Sequence, residues 1–219
     1  MIHKLMNINE LNDELIGHYF PMLTEAKQKK IASLQNIEDR KIFFCCEILA
    51  RKCLSELCDA PEFSFDILCN PNSKSIVGNY NAEVSIVKCD EFVACAVSNN
   101  YVGIGIQKIK SFSFRDAQNL FSDSEIRAIF SDSVYSFSDI VNFQECKEIS
   151  VMQKYALFST LKEAHFFASG RGIRSEIKNT VFNFNGREIL CSDENAKITD
   201  SYIDSSKNLA VSVIERCKK

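Results

Sequence analysis

The sequence predicts an α+β fold, in which helices and antiparallel strands form separate groups. Apolar residues recur at helical spacing over residues 39–57 and again over 148–168. Segments rich in Val, Ile and Phe, separated by polar or turn residues, fill residues 83–108 and 180–214. This separation of helical and strand patterns along the chain is typical of the α+β class.

The order of these patterns is repeated along the chain. Helical segments are followed by strands in residues 1–101, and further helical segments are followed by strands in residues 102–219. We therefore expect two similar halves that form a pseudo-dimer with a cleft between them. Ligands bind preferentially in such clefts.

Composition and charge exclude several classes of protein. The 219 residues are 46% hydrophobic and 25% charged, with a net charge of −3. This balance argues against a surface built to bind nucleic acid or anionic lipid. Charged residues interrupt positions 1–15, and no run approaches the roughly 20 apolar residues that span a bilayer. We expect a soluble protein of the cytoplasm.

The ten cysteines indicate free thiols. They form no C-x-x-C pair and no spacing with histidine that is typical of a metal site. Several of them, among them Cys46 and Cys53, fall on apolar faces of predicted elements. We expect buried thiols that act as small hydrophobic side chains, in preference to a disulfide framework or a metal site.

The first half is predicted to contain two helices and a group of strands. Residues 39–57 predict a core helix, because their apolar residues lie three or four positions apart, and residues 25–34 predict a shorter one. Three consecutive antiparallel strands are predicted over residues 83–89, 91–98 and 101–108, where polar residues mark the turns.

The second half begins with a capping-box signal for a helix, Ser122 followed three residues later by Glu125. Residues 132–139, rich in Ser and Asp, predict a loop. A long helix over residues 148–168 is predicted to end at Gly170. The tail predicts strands over residues 180–184, 187–191, 198–203 and 209–214, with Asn185-Gly186 as the tight turn of a hairpin.

Motif searches exclude the common nucleotide-binding, zinc-protease and serine-hydrolase signatures. The inward position of His165 on its predicted helix favours a satisfied core histidine. Lys162 and Glu163 suit either a helix flank that reaches water or a functional site, and Lys27 with its neighbouring lysines suits either a solvated face or a phosphate. Two glycines in residues 103–107 mark a close backbone approach or a bulge.

Taken together and in order, these segments resemble the 4′-phosphopantetheinyl transferases of the larger, pseudo-dimeric type, best known from the activation of surfactin synthetase. The strongest part is L-F-S-T-L-K-E-A at residues 157–164, with G-R-G-I at 170–173. F-S-D-S-E at residues 121–125 resembles the family's F-S-x-x-E helix start, and G-I-G-I-Q at 103–107 takes the place of its G-I-D-I-E strand. The resemblance covers most of the chain.

The resemblance implies an enzyme that transfers the phosphopantetheine arm of coenzyme A to a serine of an acyl or peptidyl carrier protein. Enzymes of the family use Mg²⁺ and release adenosine 3′,5′-bisphosphate. Coenzyme A, Mg²⁺ and a carrier protein are therefore the expected ligands and partners of a monomeric chain, with no nucleic acid and no membrane among them.

The resemblance also implies roles for individual residues. Glu163 is expected to hold Mg²⁺ and to help deprotonate the carrier serine. Gln107 is expected to be a second metal ligand, and Lys162 to assist charge on the phosphates. Coenzyme A is expected to contact Lys27, Lys30, Lys74, Lys88, Gly170 and Gly172.

The sequence departs from the family pattern at the metal site. Gly105 and Gln107 stand where the G-I-D-I-E strand has carboxylates, so that Glu163 alone retains one. Either a slow transferase survives, with an acid such as Asp90 or Glu91 completing the site, or the chain is a catalytically lapsed homologue that binds coenzyme A or a carrier protein. A small α+β protein unrelated to coenzyme A is the third interpretation.

Overall fold

The computed structural model describes residues 1–69, 73–131, 148–170, 177–185 and 188–218. The chain divides into two compact units, Met1–Val102 and Gly103–Lys219. Helices and antiparallel sheets form separate groups in each unit, which confirms the α+β class. The predicted loop at 132–139, together with Cys146, Gly172 and Gly186, lies outside the described residues.

The first unit places helices beside one antiparallel sheet. Its helices are α1 (Asp13–Tyr19), α2 (Glu25–Ser33) and α3 (Ile37–Cys58). Its strands are β1 (Ile2–Asn7), β2 (Ile67–Leu68), β3 (Ser73–Val77), β4 (Glu83–Cys89) and β5 (Phe92–Ser98). The strands are ordered β1-β5-β4-β3-β2. The two helices predicted for this half are confirmed as α2 and α3.

Helix α3 supplies the core of the first unit. The Asn36 side chain caps its first turn by accepting the Glu38 N–H at 2.9 Å, and Asp59 ends it with a φ of 49°. Between these ends, its buried aliphatic residues and cysteines pack on β4 and β5. The cysteines of the described residues are all free, as predicted, and burial raises the pKa of Cys46 in this core.

The second unit contains the remaining elements, and strand β6 (Tyr101–Lys108) enters it at Gly103. Its helices are α4 (Phe114–Leu120), α5 (Asp123–Ile129) and α6 (Ile149–Ser169). Its other strands are β7 (Phe182–Asn185), β8 (Glu188–Cys191), β9 (Ala196–Asp204) and β10 (Leu209–Arg216). One sheet has the order β6-β10-β9, and β7 pairs with β8 in the predicted hairpin.

Local sequence signals fix the ends of two helices in this unit. Ser122 and Glu125 form the predicted capping box, since the Ser122 N–H donates to Glu125 Oε2 at 2.9 Å and the Glu125 N–H donates to Ser122 Oγ at 3.4 Å. Helix α6 ends at Gly170, whose φ of 65° is left-handed, as predicted. Although α3 and α6 each exceed twenty residues, no described helix is apolar enough to cross a membrane.

The predicted run of three adjacent strands is wrong in one respect. Strand β5 pairs with β4 and with β1, whereas β6 pairs with β10 in the other sheet. Strand β1 was not predicted, because its sequence I-H-K-L-M-N does not alternate apolar and polar residues, and Met6 is the one buried residue in it. Helix α4 was also missed, because its seven residues are too few to establish a helical period. The capping box of Ser113 and Asp116 was the local signal that could have found it, as the one at Ser122 found α5.

We predict that Phe158→Ala destabilises the protein by about 3–5 kcal/mol, because this ring is fully buried between Phe121 and Phe184 and its loss leaves a cavity. Ile149→Ala is the control, because Ile149 begins the same helix and is 66% exposed. This change should alter the free energy of unfolding by less than about 0.5 kcal/mol. Urea denaturation measures both. Equal losses in the two variants would contradict the core position of Phe158.

Candidate functional site

Two glycines of strand β6 lie directly against backbone atoms of helix α6. A Cβ with ideal geometry on Gly103 would collide with the carbonyl oxygen of Ala164 and lie 2.6 Å from the amide nitrogen of Ala168. A Cβ on Gly105 would collide with the carbonyl oxygen of Thr160 and lie 3.0 Å from its Cα. The close backbone approach predicted for this strand is therefore confirmed.

Glu163 is held against this strand by a hydrogen bond to its backbone. Oε2 of Glu163 accepts the main-chain N–H of Ile106 at 3.1 Å. Burial raises the pKa of Glu163 to about 7, and the hydrogen bond from Ile106 opposes part of that rise. A carboxyl group with such a pKa gains and loses a proton near neutral pH, which suits it to general acid–base chemistry.

Lys162, the preceding residue, lies in a buried ion pair. Its side chain is 2% exposed, and Nζ is 2.9 Å from Oε2 of Glu125. The ammonium also donates to the carbonyl oxygens of Ile177, at 2.9 Å, and Thr180. Burial lowers the pKa of Lys162, while Glu125 opposes this effect. The interpretation of this residue as a helix flank that reaches water is therefore wrong.

Glu125 connects the ion pair to the surrounding elements. Its Oε1 accepts the Phe182 N–H from β7 at 2.9 Å, and its Oε2 accepts the Ser122 N–H that caps α5. The sequence identified Glu125 as a capping residue and gave no signal for Lys162 as its partner. Because the charge of Lys162 is matched here and its three hydrogens have acceptors, its surroundings favour a positioning role over contact with a phosphate.

His165 is paired as expected for a satisfied histidine. Its Nε2 is 2.9 Å from Oδ2 of Asp193, which is also 2.9 Å from the Arg216 guanidinium. Burial lowers the pKa of His165, with Asp193 opposing. For Asp193, desolvation would raise the pKa, but the hydrogen bonds from His165 and Asn195 and the Arg216 charge outweigh it and lower the pKa to about 2.

In the first unit, Lys27 shares a carboxylate with Arg51. Nζ of Lys27 lies 2.7 Å from Oε1 and 2.8 Å from Oε2 of Glu47, and it donates to the Ile67 carbonyl. The Arg51 guanidinium lies 3.5 Å from Oε2 of the same glutamate. Two cations therefore surround one buried carboxylate, and the cluster keeps an excess of positive charge.

The other predicted phosphate-binding lysines differ in their surroundings. Lys30 is exposed, with Nζ 4.8 Å from the ring centre of Phe43. Lys88 is exposed on β4, and its charge lowers the pKa of Cys46 against the larger effect of burial. Lys74 is in register with Ser85, and its side chain lies outside what the structure describes.

Gly170 and the alternative acids Asp90 and Glu91 lie in turns. No atom lies within 4 Å of a Cβ placed on Gly170, so that the backbone there is open on that side, and Gly172 lies outside the described residues. Asp90, with a φ of 50°, and Glu91 form the turn between β4 and β5, where the Glu91 carbonyl accepts the Ile8 N–H at 2.8 Å.

The residues at β6 and α6 do not fit a magnesium ion held by the protein. Mg²⁺ requires near-octahedral oxygen ligands, commonly including one or two carboxylates. Gly105 has no side chain and no space for one, Gln107 offers a neutral amide oxygen, and Oε2 of Glu163 already accepts the Ile106 N–H. Across the described ranges, no group of three or more His, Cys, Asp or Glu residues could hold a metal ion. The ligand pair of Glu163 and Gln107 stays a prediction from the resemblance, and it contains one carboxylate.

Comparison with known proteins agrees with the sequence resemblance. No protein-family profile matches the chain. The chain is 24% identical over 189 residues to 4′-phosphopantetheinyl transferase gsp of Aneurinibacillus migulanus, a match that covers 86% of this chain and 73% of that protein. The resemblance to the 4′-phosphopantetheinyl transferase superfamily is thereby confirmed.

We predict that Lys162→Met and Glu125→Gln each destabilise the protein by about 3–5 kcal/mol, because each leaves a buried polar partner uncompensated. The double variant should lose clearly less than the sum, since neither charge then remains unpaired. Urea denaturation of the four proteins gives the coupling energy. Strictly additive losses would show that the two side chains do not act on each other.

We predict that Asp193→Asn lowers stability by about 1 kcal/mol at pH 6, because the folded protein depresses the pKa of this carboxyl. The stabilisation is present above the unfolded pKa near 4 and is lost as the pH falls towards about 2. The two unfolding curves should therefore converge in acid. A difference that persists unchanged at low pH would assign the effect to packing.

Proposed function

We propose that this chain, a homologue of the 4′-phosphopantetheinyl transferases, transfers the phosphopantetheine arm of coenzyme A to a serine hydroxyl of an acyl or peptidyl carrier protein. The observation that carries the proposal is the environment of Glu163. This carboxylate belongs to the segment that resembles the family's K-E-A motif, and a hydrogen bond from the strand in the G-I-D-I-E position orients it. The homology covers most of the chain.

In the proposed reaction, the serine Oγ attacks the β-phosphorus of coenzyme A and forms a phosphodiester. The bond between this phosphorus and the bridging oxygen of the diphosphate breaks, and adenosine 3′,5′-bisphosphate leaves with that electron pair. The carboxylate of Glu163 accepts the proton of the serine hydroxyl. This proton transfer requires no other reactant.

Glu163 needs a fixed position for this role, and two sets of contacts around α6 supply it. The Lys162–Glu125 ion pair ties the helix to α5 and β7, and the Ile106 N–H fixes one carboxylate oxygen. Lys162 is proposed as a positioning residue in this arrangement, since its ammonium is already fully paired.

Basic residues of the first unit are proposed to bind the phosphates of coenzyme A. Lys30 and Lys88 are exposed residues. The Lys27 ammonium is already held by Glu47 and the Ile67 carbonyl, so its proposed contribution is the net positive charge that it and Arg51 leave around Glu47. Ammonium groups bind phosphate as point charges without a fixed bond direction. Lys74 is assigned the same role through its place in the sequence. Gly170 and Gly172 are proposed to let the backbone approach the ligand.

A binding module for coenzyme A or a carrier protein is the second candidate. The packing at Gly105 favours it, because helix backbone fills the position where the family has a metal-binding carboxylate. Such a protein would be stabilised by coenzyme A without modifying any carrier. A ligand at a hundred times its dissociation constant adds about 2.7 kcal/mol to the free energy of unfolding.

We predict that the protein, mixed with coenzyme A, Mg²⁺ and several apo carrier proteins, adds one phosphopantetheine arm to a carrier serine, as measured by mass spectrometry. Glu163→Gln should lower the initial rate at least about a hundredfold, because it removes the proton acceptor. Glu148→Gln, at the cap of the same helix, should retain the rate.

An unmodified serine on every carrier would reject the transferase. If coenzyme A nevertheless raised the melting temperature of the protein, the result would support the proposal of a binding module over that of a transferase. Absence of both effects would favour an α+β protein unrelated to coenzyme A.

A further inference from the structure

The space beside Gly105 is occupied by atoms that cannot move independently. The atoms closest to a Cβ on Gly105 are the carbonyl group and Cα of Thr160, and those closest to a Cβ on Gly103 belong to the backbone of Ala164 and Ala168. A side-chain atom could rotate away from an added group, but helix backbone moves only if the helix moves. Any side chain at position 105 therefore requires strand and helix to separate.

Helix α6 cannot separate from β6 without breaking other contacts. Residues at four-residue spacing on its inner face are small and fully buried, namely Ala156, Thr160, Ala164 and Ala168. The hydroxyl of Thr160 lies 2.8 Å from Ser212 Oγ on β10, and Ser212 lies 2.9 Å from Ser201 Oγ on β9. Ala156 also packs with Ala210 on β10. The helix is thus tied to the neighbouring strands of the same sheet.

A backbone N–H group already occupies one oxygen of the Glu163 carboxylate. Among the described strands, β6 has β10 as its neighbour on one side in the order β6-β10-β9, and the N–H groups of its other side can be used by side chains. Glu163 accepts one of them, the N–H of Ile106. The positive end of this amide dipole therefore points at Oε2, so that a cation on this oxygen would compete with the hydrogen bond.

We infer that the contact between β6 and α6 is closed and holds no divalent cation, with Glu163 serving the strand backbone in place of a metal. Of the positions that the resemblance assigns to the metal, Glu163 supplies one carboxylate, Gln107 a neutral amide and Gly105 nothing, so that the chain alone offers a cation a single charged ligand. Gly103 and Gly105 are packing residues that permit the backbone contact. The inference concerns ion binding and packing alone, and it holds whether the protein is a transferase or a binding module.

Two measurements on the full chain test this inference without reference to activity. The first titrates the protein with Mn²⁺, a paramagnetic ion that takes the same carboxylate and water ligands as Mg²⁺, and follows the free-ion signal by electron paramagnetic resonance. We expect the signal to be the same with the protein as with its Glu163→Gln variant, up to millimolar Mn²⁺. Stoichiometric uptake that Glu163→Gln abolishes would overturn the inference.

The second measurement compares melting temperatures of glycine variants. Gly105→Ala and Gly105→Asp should both lower the melting temperature by about 5 °C or more, since both add a Cβ where helix backbone lies. Gly17→Ala in α1 is the matched control, because no atom lies within 4 Å of a Cβ there, and it should not lower the melting temperature.

The aspartate variant also addresses repair of a metal site. If Gly105→Asp, alone or with Gln107→Glu, folds with an unchanged melting temperature and takes up Mn²⁺, strand and helix can open and the inference is wrong. A Gly105→Ala variant with an unchanged melting temperature would also contradict it. If Gly105→Asp does not fold while Gly17→Ala does, the backbone contact is supported, and the Mn²⁺ titration of the unchanged chain remains an independent test.

Discussion

The backbone contact between helix α6 and strand β6 constrains the rest of the second unit. Because Gly105 meets the Thr160 carbonyl directly, every side chain on α6 has a nearly fixed height above the sheet. Phe158 and Leu161 consequently enter the aromatic core, while Glu163 reaches the Ile106 N–H. A larger separation would weaken both the core packing and this hydrogen bond.

Burial affects the two adjacent charged residues Lys162 and Glu163 of α6 in different ways, because, among the described residues, one has a partner of opposite charge and the other does not. Lys162 is removed from water and would be costly there alone, but Glu125 and two backbone carbonyls compensate it. Glu163 has no cation beside it among the contacts described and accepts one backbone N–H, so burial raises its pKa instead. Lys162 therefore connects elements of the unit, whereas Glu163 can gain or lose a proton near neutral pH and so act as a general acid or base.

Local signals in the sequence predicted most elements, but they did not predict which residues distant in the chain pair with one another. The capping box at Ser122, the helix end at Gly170 and the close approach at residues 103–107 depend on near neighbours in the chain. The partner of Lys162 lies in another helix, and the partner of β6 lies at the far end of the chain. Such contacts are decided by tertiary packing, which no local period or spacing encodes.

The same distinction separates proton transfer from metal binding in this protein. Accepting a proton requires one oriented carboxylate, and the Ile106 N–H together with the packing of α6 orients Glu163. Holding Mg²⁺ requires further oxygen ligands and space for them, and position 105 offers neither as long as Thr160 lies against it. A change at Gly105 therefore cannot be treated as the exchange of one ligand. It alters the helix position on which the orientation of Glu163 depends, so that restoring a second carboxylate would disturb the first.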